Sequence, residues 1–148
     1  SKGGVKKLKE KPTDDLYQEL MSEPSLDAYI KGNQRYFHGS TIADLLETIY
    51  NKRGISKAAL ARKAGMSEVY LHQVFSGRRN PSRDRLLCLC IGLGATLEET
   101  QEILKQAGYA QIYPKIKRDA IIGYGIAHQI ELNEINDRLF AENEKTLS

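Results

Sequence analysis

The sequence of 148 residues has no tryptophan, two cysteines, four prolines and three phenylalanines. Cys88 and Cys90 lie two apart inside an apolar segment. That is neither a disulfide framework nor a zinc spacing, so a reducing, cytoplasmic setting is expected. A long hydrophobic run is also missing. The longest uncharged, mostly apolar stretch runs from Leu86 to Leu97, whereas a bilayer crossing takes about 20 apolar residues, so no membrane association is expected. Ser1 to Lys11 is basic and carries no apolar stretch, so it does not read as a secretory signal; the opening Ser-Lys-Gly-Gly has the look of a cloning remnant. No segment alternates with the period of a strand. There is no glycine-rich phosphate loop, no nucleophile elbow and no zinc-binding His-Glu pair. His38, His72 and His128 are far apart, without ligand spacing. No catalytic residue, cofactor or metal is therefore expected, and the chain is not read as an enzyme. What is present is 41% hydrophobic and 28% charged residues, the make-up of a globular chain with a real core.

The net charge of +3 conceals a strong asymmetry. Residues 1–11 carry five lysines against Glu10, and residues 12–50 are acidic. Residues 51–85 carry nine basic side chains (52, 53, 57, 62, 63, 78, 79, 83 and 85) against Glu68 and Asp84. A block of that kind is either a solvated face or the footprint of a polyanion site. Residues 1–12 are read as a flexible basic arm.

Helical spacing recurs along the rest. Thr13 is placed to cap a helix to about Glu23, and Pro24-Ser25 breaks it. A short helix through Leu26, Tyr29 and Ile30 stops at Gly32-Asn33. Ser40 or Thr41 opens a stronger helix with Ile42, Leu45, Leu46 and Ile49 on one stripe, closed by Gly54. Ser56 caps a helix to about Ala64, ended by Gly65. Ser67 caps another to about Ser76, ended by Gly77. Pro81-Ser82 begins one to about Leu93, and Thr96 with Glu99 forms a capping box for the next, which ends at Gly108. Tyr113-Pro114 is a break, followed by helices over about 115–129 and 132–142. The expected fold is all-α, with eight or nine short helices. Its expected parts are the arm, an N-terminal helical extension over 13–40, a central domain over 41–108 and a C-terminal helical extension over 109–148.

The informative stretch is Ile55 to Leu93. Two short helices are joined by Ala64-Gly65-Met66-Ser67. Leu60 and Ala61 of the first face inward, with Leu71, Val74 and Phe75 of the second. Glu68, Val69, Tyr70, His72 and Gln73 are left outward just after an N-cap. A rod of that length, crossing its predecessor steeply and offered N-terminus first, fits the roughly 12 Å major groove of B-DNA.

The pattern Ile55-Ser56-Lys57, Leu60-Ala61, Gly65-Met66-Ser67, Leu71, Val74-Phe75, Gly77, Arg79, Pro81-Ser82, Leu86, Leu89-Cys90 and Gly92-Leu93 resembles the lambda-repressor-like, or XRE-type, helix-turn-helix family. The resemblance spans Thr41 to Gly108 and implies a five-helix bundle with the N- and C-terminal helices as additions. It implies a sequence-specific transcriptional regulator, working as a homodimer on double-stranded DNA, with the recognition helix about 67–76 in the major groove. Carried over by position, Ser67, Glu68, Val69 and Gln73 are the base readers, Gln73 toward adenine and Val69 toward a thymine methyl. Glu68 departs from the commoner Gln; it can accept from cytosine N4 but repels phosphate. Tyr70 and His72 are secondary DNA candidates. Lys57, Ser76, Arg78, Arg79 and Asn80 are the phosphate contacts. Phe75 replaces a frequent Glu, so an apolar contact is expected there. The alternative is a protein-interaction adaptor or antitoxin-like module that reuses the fold, with a protein partner on the terminal helices.

Overall fold

The computed structural model describes residues 11–148; the greater part of the proposed basic arm, residues 1–10, lies outside the described residues. All regular structure among the described residues is helical. The chain divides into two compact units, one ending at Phe37 and the other covering His38–Ser148.

The first unit holds α1 (Thr13–Ser22), α2 (Leu26–Gly32) and a 3-10 turn at Gln34–Tyr36. Pro12, not Thr13, occupies the N-cap of α1, and no side chain caps it. The fixed φ of proline already suits a helix start, so the helix begins one residue early. Ser25 caps α2 through a 3.0 Å bond from the Ala28 amide. Neither helix buries a residue. A polar knot joins them instead: the Lys11 ammonium donates to Glu19 and to Asn33 Oδ1 at 2.7 Å, and buried Asn33 donates to the Tyr29 carbonyl at 3.0 Å.

The second unit contains α3 (His38–Asn51), α4 (Lys57–Ala64), α5 (Glu68–Phe75), α6 (Arg83–Leu93), α7 (Leu97–Gln106), α8 (Lys117–Ala127) and α9 (Leu132–Ala141). Helix α3 starts at His38, ahead of the expected Ser40 or Thr41, because Gly39 and Ser40 are weak helix formers but not breakers. Its stripe of Ile42, Leu46 and Ile49 is buried, with Leu45 half-buried. Helix α6 is the axis of the unit and is buried on nearly every side. It crosses α4 at Gly92, where an added Cβ would lie 3.1 Å from the Ala64 Cβ; the small pair is what lets the two helices approach. The serine caps at 56, 67 and 82 all accept from the amide three residues on, and the Thr96–Glu99 capping box is complete.

Residues 109–148 pack into the same unit as α3–α7. Gln101 of α7 straps the linker by pairing both backbone groups of Ile112, at 2.7 and 2.9 Å. Ile122, Ile126, Leu132, Ile135 and Leu139 then join the common core. The tail turns back so that Leu147 is buried and its amide donates to Asn136 Oδ1 at 2.8 Å.

Candidate nucleic-acid interface

The turn between α4 and α5 follows from its residues. Gly65 adopts φ +66°, and the Met66 amide reaches back to the Ala61 carbonyl at 2.9 Å, closing α4. Ser67 then opens α5, its hydroxyl accepting from the Tyr70 amide at 3.1 Å. Leu60, Ala61 and Ala64 of α4 and Leu71 and Val74 of α5 enter the core. The outer side of α5 stays open: Ser67, Glu68, Val69 and His72 are exposed, Val69 to 69%, while Tyr70 and Gln73 are half-buried.

The loop after α5 is held at both ends. The Gln73 carbonyl accepts from the amides of Arg78 and Arg79 at 2.9 and 3.3 Å and from the Ser76 hydroxyl at 3.1 Å. At the far end Tyr109 donates to the carbonyl of buried Pro81 at 2.6 Å, and Ser82 starts α6. Arg78, Arg79 and Asn80 are thereby carried on a fixed, exposed loop beside α5.

The cations near α5 sit on aromatic rings. The Lys57 ammonium lies 4.3 Å from the Phe75 ring centre and 4.6 Å from that of Tyr50, and the two rings meet edge-on. Phe75 therefore makes the apolar contact anticipated for it. Arg85 and Arg79 lie over the Tyr70 ring at 4.4 and 5.4 Å. Ser67, Val69, Tyr70, Gln73, Arg79, Ser82 and Arg85 line one shallow hollow. Gln73 Oε1 accepts from Arg79 Nε at 2.9 Å, and Glu68 lies 4.0 Å from His72. Of the expected base-reading positions, Ser67, Val69 and Gln73 line that hollow and Glu68 lies outside it, while Lys57 stands against Phe75 and Arg79 against Tyr70 and Gln73; Tyr50 and Arg85 join them as residues that motif spacing did not point to.

The basic block is less concentrated than its sequence density suggests. Lys52 and Arg53 pair with Glu99 at 3.1 and 2.8 Å, and Arg53 also caps the Leu93 carbonyl at 3.0 Å. Arg83 is turned to Asp119 and to the Ala110 carbonyl. Arg62 and Lys63 stand in the last turn of α4, where cations complement the helix dipole. Lys57, Arg78, Arg79 and Arg85 remain beside α5.

Burial pushes the Cys88 thiol up to about 11 and the Cys90 thiol up to about 12, so both are protonated core residues. No cluster of metal-ligating side chains is found among the described residues, and none of their helices is long and apolar enough to cross a membrane.

This is a helix-turn-helix unit, and comparison with known families says the same. Residues 41–103, which hold most of α3 and all of α4 to α6, match the family model described as a helix-turn-helix domain. No curated protein and no solved structure matches the chain.

Proposed function

We propose that the chain is a sequence-specific DNA-binding regulator of the XRE type, with α5 lying in the major groove. The observation that carries the reading is the open outer face of α5 bracketed by Lys57, Arg78, Arg79 and Arg85. Phosphate contacts by these cations supply most of the affinity and fix the register. Ser67, Glu68, Val69 and Gln73 read base edges, and Tyr70 serves as the plate on which two arginines rest. The protein acts as a homodimer on half-sites about 34–36 Å apart, without catalysis, in the cytoplasm. Selection from a random duplex pool at two salt concentrations tests this. A recovered paired motif with a steep salt slope supports it; no retained duplex at low salt overturns it.

One observation favours a second reading, a protein-interaction module. A groove between α8 and α9 has an apolar floor of Ile121, Ile130 and Ile135, and Tyr124 and Phe140 stand exposed on these helices. A stoichiometric protein partner in a pull-down, with no DNA enriched, decides for that reading.

A further inference from the structure

Resting on the homodimer of that reading, we propose that α1 and α2 form its seam, and that they dock on the same two helices of a second copy. The pair is built inside out. The side-chain links that join α1 to α2 are polar: Lys11 reaches Glu19 and Asn33, and Asn33 also donates to Glu19 Oε1 at 3.4 Å. The large apolar side chains are left in solvent. Tyr17, Leu20, Met21, Leu26, Ile30 and Phe37 are all exposed, from 38% at Phe37 to 73% at Met21. On α1 the sequence positions Leu16, Tyr17, Leu20 and Met21 fall at i, i+1, i+4 and i+5, one stripe of the helix, and Asp15, Gln18 and Ser22 take the opposite side.

Helices of this kind do not hold themselves. Helix α1 has ten residues and α2 seven, and neither buries a residue. An isolated helix shorter than about 12–15 residues is marginal in water. Folded units below about 40 residues ordinarily need a disulfide, a metal or oligomerisation. Cys88 and Cys90 are free and lie in the other unit, and no metal-ligating cluster is found among the described residues. A second copy fits in area and in charge. At about 200 Å² of surface for a large side chain, the six exposed residues offer roughly 650 Å² per copy, near the about 800 Å² per partner of a standard interface. A two-fold pair repeats each contact, so α1 laid antiparallel on the partner's α2 occurs twice. That brings the start of α1 to the end of α2. Asp14 stands in the first turn of α1 and Lys31 in the last turn of α2, and neither is in an ion pair among the described residues. The seam uses none of the residues assigned to DNA.

Sedimentation velocity of the full chain over a concentration series measures the dimer, and hydrogen exchange at both ends of the series reads α1 and α2. Wild type is expected to dimerise, with the amides of α1 and α2 protected in the dimer only. Met21→Glu, at an exposed position, is expected to raise the dimer dissociation constant by about tenfold or more. Lys31→Glu is expected to raise it less, and Asp14→Lys in the same chain to restore it. A dimer unchanged by Met21→Glu overturns the proposal and leaves the homodimer standing on another seam. Amides of α1 and α2 protected equally in monomer and dimer, or exchanging freely in both, overturn it as well. A chain monomeric throughout overturns the proposal and the homodimer together, while duplex selection still reads DNA binding separately. Thermal unfolding of each variant verifies that the second unit is folded.

Discussion

Arg83 and Asp119 are joined by two parallel hydrogen bonds, 3.2 and 3.0 Å, although they stand 36 residues apart. The next residues on each side repeat the pairing with the signs exchanged: Asp84 accepts from both terminal nitrogens of Arg118, each at 3.1 Å. An Arg-Asp step at the start of α6 thus meets an Arg-Asp step at the start of α8, crossed. Asp119 is 4% exposed and also accepts the Tyr113 amide at 3.0 Å. Its charge is buried and fully engaged.

Removing one partner of such a pair strands the other. Arg83→Met is expected to cost about 3 kcal/mol, because Asp119 is left charged inside the protein with its backbone donor alone. Asp84→Asn, at a more open pair, is expected to cost about 1 kcal/mol. Urea unfolding of the two variants measures the difference. Equal losses would mean that burial of Asp119 is not what makes the first pair costly to break.

The contact of α8 with α9 depends on a missing side chain. A Cβ on Gly125 would lie 2.4 Å from Ile135 Cδ1 and 2.6 Å from Cγ1, and Ile135 is buried. At Gly123 the nearest atom would be Ile112 Cγ2 at 3.1 Å. Gly125→Ala is expected to lower stability by about 1–3 kcal/mol through overpacking. Gly123→Ala needs only a small shift and gains helix propensity, so a change within about 1 kcal/mol is expected. Thermal melts of both variants rank them; the reverse order would show that α9 yields more readily than the linker.

Glu99 ties α3 and the α6–α7 corner together. Burial works against its charge, but the Thr96 amide, the Lys52 hydrogen bond and the Arg53 charge outweigh it and hold the carboxyl below the usual glutamate range. A depressed folded-state value means that the unfolded chain binds the proton more readily. The stabilisation is therefore complete above about pH 4.3, the unfolded value, and is lost as pH falls through the folded value. Glu99→Gln is expected to cost about 1–2 kcal/mol at pH 7, with the gap to wild type closing toward pH 3. Urea titrations across that range give the gap directly, and a gap independent of pH would exclude an ionic role for Glu99.

Local signals in the sequence led to most of the fold. Serines 56, 67 and 82 cap helices because a short hydroxyl reaches the amide three residues on, and Gly65 ends a helix at positive φ. Both are properties of neighbours in the chain, and so is the outward set on α5. The start of α3 was harder to place, since Gly39 and Ser40 are weak helix formers that mark no sharp boundary. Long-range pairing left no such trace. Lys52 and Arg53 look like part of a basic surface until Glu99, 46 residues beyond Arg53, is found against them. Arg83 and Asp119 are the same case, and so is the strap from Gln101 to Ile112 that draws 109–148 into the central unit. The bond from Arg79 Nε to Gln73 Oε1, six residues apart across a loop, is likewise not visible in the sequence.

That redistribution of charge separates cations that meet phosphate from cations that hold the protein together. On the DNA-binding reading, Lys57→Met keeps the aliphatic stem against Phe75 and Tyr50 but removes the ammonium, so it should flatten the salt dependence of binding by about one ion. Arg78→Gln, at an exposed loop position, should do the same, and the loss should be equal on specific and random duplexes. Arg53→Gln removes one positive charge too, but from a guanidinium spent on the Leu93 and Gly94 carbonyls and Glu99. It should lower the melting temperature and leave the salt slope as it was. Binding isotherms at several salt concentrations, run beside thermal melts, place each variant. If Arg53→Gln flattens the slope as much as Lys57→Met does, net charge governs affinity, and the cations around α5 have no privileged place in it.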